Sequence, residues 1–499
     1  MDSQLERPRR DAASEHLDVV IVGAGLSGIG AAYHLQRDCP DKGFAMLERE
    51  ESFGGTWKLH TYPGARSDSD LYTFGFSWKP WTGRPLASAE EILTYLDEAL
   101  DEEDIRRHIR YRQELQAADW DSAAQCWNLA CVDLENGEAY RLTCSFLWMC
   151  QGYYRHDAGY APNFPDQDRF QGRLVHPQHW PDDLDTEGKR VVVIGSGATA
   201  ATLIPAIAER AAHVTMLQRS PTFFAPRPSD SELAEQLRPL GLPDAWFHEI
   251  MRRSFLLERE RVDKLSFEDP ERLRSDLLAA AQAYLGEDYN LDPDFLPSYR
   301  PWQQRIALVP DGDLFQCIRS GRASVVTDHI ARFTETGIDL KSGRHLEADV
   351  VVSATGLNLS VFGEIPFSLD GQPLDFSETW AYRGMLFSGV PNMAWVFGYL
   401  RHSWTLRAAL VSDFVCRLLN HMKEKGAAEV RPELRPEDRA MPKRLLIEPE
   451  NFNSGYIQRS IDRFPKQGDR EPWIFSQNYA LEKDEIPNAD LDDGTLIYR

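Results

Sequence analysis

The chain has 499 residues and a net charge of −23, and it is 42% hydrophobic and 27% charged, with 13 Trp, 17 Tyr and 24 Phe. That apolar content excludes wholesale disorder and suits two or three domains. The negative charge argues against nucleic acid or anionic membrane as a main partner, while leaving room for local basic pockets that hold phosphates.

Residues 1–16 are polar and carry no apolar run of signal-peptide type. Residues 17–22 are apolar and β-branched, as in a buried parallel strand. The turn Gly23-Ala24-Gly25-Leu26-Ser27-Gly28 follows, opening a helix predicted over Leu26–Arg37. Phe44–Glu48 is the next strand and ends in an acid, completing one βαβ unit. Residues 88–110 read as helix, with Ser88 and Glu91 spaced as a capping box. Arg112–Trp148 alternates and includes the turn Glu135-Asn136-Gly137, which predicts a small antiparallel sheet. Phe146–Cys150 is a short apolar strand that meets Gly152.

Residues 155–190, rich in Pro, Asp and Gly, read as a crossing between domains. A second βαβ unit begins at Arg190–Ile194, turns through Gly195-Ser196-Gly197-Ala198-Thr199-Ala200, and runs along a helix over Ala198–Glu209 to a strand at His213–Leu217. Residues 229–290 change to a charged, helical pattern broken at Pro239, Pro243 and Pro270. Ser324–Val326 and Asp349–Ser353 are strands. Thr405–Lys425 is a helix with Leu406, Leu410, Phe414, Leu418 and Met422 on one stripe and Gly426 as its stop. The Pro-rich C-terminal residues beyond it have no readable period.

The expected architecture is α/β: two dinucleotide-binding, Rossmann-like domains with a helical insertion. The first would combine 1–155 with 358–499, including the C-terminal tail. The second would combine 156–221 with 301–357, and the insertion would be 222–300. The two long uncharged stretches, Val19–Leu35 and Val191–Ala208, both contain a glycine turn, so neither reads as a membrane span. Seven scattered cysteines without a Cys-x-x-Cys pair argue against zinc or a disulfide framework, fit a reducing cytoplasm, and lead us to expect no metal.

In the first unit Gly23 allows the tight turn, Gly25 lets backbone approach a pyrophosphate, and Gly28 lets helix and strand pack closely. Glu48 stands where a carboxylate accepts hydrogen bonds from ribose hydroxyls. In the second unit, Gln218-Arg219-Ser220 replaces the acid, and Arg219 can pair with a 2′-phosphate, favouring NADPH over NADH. Two different dinucleotides in one chain suit an enzyme that moves electrons from a nicotinamide to a flavin.

Between the units lies Phe170-x-Gly172-x-x-x-His176-x-x-x-Trp180-Pro181. By itself His176 could be an ordinary hydrogen-bonded histidine. The whole segment, however, resembles the fingerprint of type I Baeyer–Villiger monooxygenases, a branch of the class B flavoprotein monooxygenases. The related flavin-containing monooxygenases usually carry Tyr or Phe in place of Trp180. Gly54-Gly55-Thr56-Trp57, Tyr62-Pro63-Gly64-Ala65-Arg66-Ser67-Asp68 and Ala354-Thr355-Gly356 resemble further stretches of that family.

The resemblance implies FAD and NADP(H) as cofactors and O2 and a small organic molecule as substrates. It implies a peroxide at C4a of the reduced flavin and insertion of one oxygen atom into a ketone, giving an ester or lactone. Asp68 would lie in the active site and orient an arginine carried over to Arg305, which would stabilise the peroxide and the oxyanion that follows. In place of the family's Lys-Arg pair the chain reads Gln304-Arg305. Flavin contacts would come from Gly23, Gly25, Gly28, Glu48, Gly55, Thr56, Trp57 and Asp68, and from Ser403, Trp404 and Thr405 at a helix N-terminus. Nicotinamide contacts would come from Gly195, Gly197, Ala198, Thr199, Arg219, Ser220, His176, Trp180, Thr355 and Gly356.

Oxygenation of amine nitrogen or sulfide sulfur uses the same motifs and stays open. A disulfide reductase needs a redox cysteine pair near the first unit, where Cys39 stands alone. A non-enzymatic nucleotide sensor is the remaining alternative.

Overall fold

The computed structural model describes residues 15–499. The polar opening segment lies almost wholly outside those residues. The first unit begins with β1 (Glu15–Val22), α1 (Leu26–Asp38) and β2 (Phe44–Leu47). Short helices α2 (Thr56–Leu59) and α3 (Leu71–Phe74) follow, then α4 (Ala89–Glu102). Next come β3 (Ile109–Arg110), β4 (Gln113–Asp121), β5 (Cys126–Asp133) and β6 (Ala139–Met149).

These strands share one nine-stranded sheet, ordered β3-β2-β1-β6-β5-β4 and extended past β4 by Phe367–Leu369 and Gln372–Pro373. β3, β2, β1 and β6 run parallel, and β6, β5 and β4 antiparallel. The antiparallel strands are therefore not a separate small sheet. Phe146–Cys150 is not a separate strand either, since most of it is the buried end of β6. One edge of β6 meets β5 through Ala139–Cys144 and then Met393–Trp395 through Leu147–Met149, so a single strand serves both halves of the sheet.

The helix expected over 88–110 stops at Glu102. Its start carries the full capping box of Ser88 and Glu91. Its end runs into four consecutive acids, Asp101 to Asp104, unfavourable at a helix C-terminus, and Asp104 turns to a φ of 51°. Ile109 then joins the sheet edge beside Met46.

The second unit is a five-stranded, all-parallel sheet. It holds β7 (Arg173–Val175), β8 (Arg190–Ile194), β9 (His213–Gln218), and the strands Ala323–Thr327 and Val350–Ser353. β8 leads into α5 (Ala198–Ala208). The insertion consists of α6 (Glu232–Leu237), α7 (Asp244–Glu268) and α8 (Pro270–Leu285). Pro243 sits just before α7 and Pro270 is the first residue of α8, where a missing N–H costs nothing. After α9 (Asp313–Arg319), the long helix α10 (Trp404–Lys425) ends at Gly426 with a φ of 64°. Its stripe Leu406, Phe414, Leu418 and Met422 is buried, and α10 packs on α1. Among the described residues no helix is long and apolar enough to cross a membrane, and no cluster of His, Cys, Asp and Glu is arranged to hold a metal ion.

Candidate active site

A cavity of about 450 Å3 runs from the first glycine turn to the N-terminus of α5. Gly23, Gly25, Glu48, Gly55, Thr56, Trp57, Asp68, Ala198, Thr199, Arg305 and Trp404 all line it. Residues brought forward from distant parts of the sequence thus share one wall system.

The glycines divide by what they serve. A Cβ on Gly28 would lie 1.9 Å from the Gly23 carbonyl oxygen, and one on Gly23, at a φ of 103°, would lie 2.7 Å from that of Cys150. Gly195, at a φ of 124°, would bring a Cβ to 2.3 Å from the Ala354 oxygen. Those three are required by the fold. A Cβ on Gly25 would meet nothing closer than 3.8 Å, and one on Gly197 nothing within 4 Å. Both precede helices whose first N–H groups lack side-chain caps. Open space beside uncapped N–H groups is what a pyrophosphate needs.

Glu48 is buried at the end of β2. One carboxylate oxygen accepts the Ala24 N–H at 2.7 Å and the other the Glu50 N–H at 2.8 Å. Burial raises its pKa, and those two N–H groups pull against it. Each oxygen keeps a lone pair for a further donor.

At the other end of the cavity, Arg305 binds Asp68 at two points. Nε donates to one carboxylate oxygen, and Nη2 donates to the other at 2.9 Å. Burial opposes the charge on Arg305. The Asp68 carboxylate, with Tyr456 and Tyr153 nearby, outweighs that and holds its pKa well above the ordinary arginine value. Both side chains are a little over a quarter exposed, into the cavity. The 60–68 loop that carries Asp68 is wedged against α5. A Cβ on Gly64 would strike the Thr202 carbonyl at 2.7 Å, and Tyr62 belongs to the second unit's core. Arg66 in the same loop pairs with Asp313 of α9 at 2.7 Å.

Trp404 lines the cavity from the first turn of α10. Its Nε1 donates to Ser27 at 2.8 Å, and its ring stacks on Tyr153 at 4.8 Å. Its neighbours turn away. The Ser403 hydroxyl meets that of Thr73 at 2.6 Å, and the Thr405 hydroxyl donates to the Phe74 carbonyl at 2.6 Å. These two side chains brace α10 against α3 and do not line the cavity.

The fingerprint segment also lies outside the cavity. His176 is hydrogen-bonded through both ring nitrogens, to the Gly356 carbonyl at 3.1 Å and the Gln178 N–H at 3.2 Å. Thr355 donates to the Tyr160 carbonyl at 2.6 Å, and Gln178 to those of Arg155 and His156. The two crossings between the sheets are therefore laced together, with Trp180 packed on the second unit's core. Arg219 and Ser220 are exposed at the end of β9.

Sequence reading missed Tyr153, Tyr154, Tyr456 and His402. Tyr153 and Tyr154 follow the C-terminal end of a parallel strand, where ligands collect in α/β sheets, so their position was a usable signal. Tyr456 comes from the aperiodic tail, which offered none.

Comparison with known proteins agrees in scale. A family model described as pyridine nucleotide-disulphide oxidoreductase matches residues 17–240. The FAD-containing monooxygenase EthA of Mycobacterium tuberculosis is 48% identical over 487 residues, covering 97% of this chain and 98% of its own length. The probable FAD-binding monooxygenase AlmA of Acinetobacter baylyi is 45% identical, covering 97% and 96%. A steroid monooxygenase solved with NADP superposes with a TM-score of 0.69 at 24% identity, over 85% of this chain and 88% of its own, a likeness of fold.

Proposed function

The chain belongs to the FAD-containing, class B flavoprotein monooxygenases, and from that premise we propose that it uses NADPH and O2 to convert a ketone to an ester or lactone. The observation that carries the reading is the two-point Arg305–Asp68 pair in the wall of the cavity.

The residues present fit both cofactors. Gly25 and Gly197 leave room for a pyrophosphate at uncapped helix starts, Glu48 retains acceptor capacity for a ribose, and Arg219 stands exposed for a 2′-phosphate. The relatives are named for FAD, and the steroid monooxygenase for NADP. FAD reduced by NADPH would supply the activation of O2. The chain's own residues supply the rest. Arg305 is a cation at any working pH, and Asp68 fixes its plane, so the N–H groups that Asp68 leaves unused are pre-positioned donors at the cavity wall. Donors set in advance stabilise negative charge on oxygen as it develops, without reorganising. Negative charge develops on the former carbonyl oxygen when a ketone is attacked, so the pair suits that reaction.

The test is turnover of matched ketones and sulfides under oxygen-18 gas with mass analysis. Ester or lactone carrying one labelled oxygen supports the reading. Sulfoxide alone, with no ester from any ketone, overturns it in favour of soft-nucleophile oxygenation. Cys39 is buried with its Sγ 3.5 Å from the Cys416 carbonyl, and neither of these cysteines lines the cavity, which does not favour the disulfide-reductase alternative.

A further inference from the structure

His402 lines the same cavity as Arg305 but has no part in the reading above. It is 6% exposed, and neither ring nitrogen has a hydrogen-bond partner among the described residues. A buried polar ring without partners is costly, and an apolar residue would fill the same volume more cheaply. The ring thus stands unpartnered in the wall of a cavity where a bound molecule would supply its partner.

Its surroundings decide what it binds. The nearest charge is Asp263 of α7, whose Oδ2 lies 3.8 Å from Nε2. Asp263 is itself held by Arg401, with Nε 3.2 Å from Oδ1. Tyr399 meets the histidine ring edge-on at 5.6 Å, and Tyr479 lies at 6.5 Å. Arg259, also on α7, adds a second positive charge nearby. Burial, first of all, pushes the His402 pKa below its ordinary value, so the ring is neutral at neutral pH. A neutral imidazole has one N–H and one bare nitrogen. The carboxylate on the Nε2 side draws the proton there, which leaves Nδ1 as an acceptor.

We propose that His402 determines specificity by accepting, through Nδ1, a hydrogen bond from an O–H or N–H group on the substrate, and that Asp263 reaches in from the insertion to hold the required tautomer. The proposal rests on the oxygenase reading and adds a substrate class to it: ketones that carry a hydrogen-bond donor. Asp263 also lines a second cavity, of about 460 Å3, between α7 and the C-terminal segment. His402 and Asp263 thus stand back to back between two spaces, which explains how the insertion can influence a wall it does not itself form.

The test uses the FAD-loaded protein and ketones of graded length, each compared as its ω-hydroxy form and its deoxy parent. Preference is read as the ratio of kcat/KM and, separately, as the ratio of Kd from quenching of tryptophan emission. The wild type should favour at least one hydroxyketone by about tenfold. His402→Phe should bring both ratios near one. His402→Asn, whose carbonyl can stand near the Nδ1 position, should restore part of the preference, and Asp263→Asn should weaken it. Wild-type ratios near one across the panel, or a His402→Phe protein that keeps the preference, would overturn the proposal. A protein that binds the ketones but oxygenates none would sink the oxygenase reading, while the Kd ratio would still decide this one.

Discussion

Arg305 comes from the loop just before the strand Ala307–Pro310 and Asp68 from the loop before α3, so each is held in place chiefly by the other. Lysine at 305 would keep the charge and lose the two-point contact. Arg305→Lys should cut oxygenation by about a hundredfold or more, with FAD content unchanged, and product yield per NADPH checks this. The glycines allow a cleaner separation of fold from ligand. Gly28→Ala must displace the Gly23 carbonyl and should lower Tm, by roughly 1–3 kcal/mol of stability. Gly197→Ala meets nothing within 4 Å, so it should cost only the weaker helix N-cap and lower Tm less than Gly28→Ala, while KM for NADPH rises. An unchanged KM for NADPH in Gly197→Ala would contradict the assignment of that space to a ligand. Both turns were readable because their meaning lies in local spacing. The surroundings of His176 were not readable: its partners, Gly356 and Gln178, place it between two chain crossings rather than in the cavity.

The elements were largely legible where one period ran long enough. α1, α5 and α10 lie within a residue or two of their expected bounds, and the insertion is helical as its spacing and prolines indicate. Two readings failed because pairing, not propensity, decided them. Ile109 left the helical pattern to join the sheet edge, and the strands after Arg112 merged into the first sheet through β6. The C-terminal segment stayed opaque because its strands are two or three residues long and set by partners far away in sequence. A second contact, besides Asp263 at His402, ties the insertion to the site. The buried Arg252 of α7 donates to the carbonyls of Tyr72 at 2.7 Å and Gly75 at 3.4 Å, securing α3 just beyond Asp68. Arg252→Met leaves those carbonyls unsatisfied and should cost about 1–3 kcal/mol, seen as a lower urea midpoint, with a raised KM for the ketone.

At the scale of the whole molecule, two imidazoles, the buried His34 and the half-buried His60 of the cavity wall, set an acid limit. Burial lowers the pKa of His34 and of His60 to about 4. Between pH 6.5 and 4 the unfolded chain takes up protons that the folded chain refuses, so stability falls as pH falls through that window. The loss approaches on the order of 3 kcal/mol for each ring. Thermal unfolding from pH 7 to 4.5 should show Tm declining, and His34→Gln should flatten part of the decline.

The first sheet and the helix α5 of the second unit lend residues to one cavity, an arrangement suited to electron transfer between two nucleotides across it. Anaerobic mixing of the purified, FAD-loaded protein with NADPH in a stopped-flow instrument tests this most directly. Bleaching of the flavin's visible band, slowed when the transferred hydrogen of NADPH is deuterium, is the expected result. A protein that stays colourless when supplied with FAD, or whose flavin NADPH leaves oxidised, would contradict it.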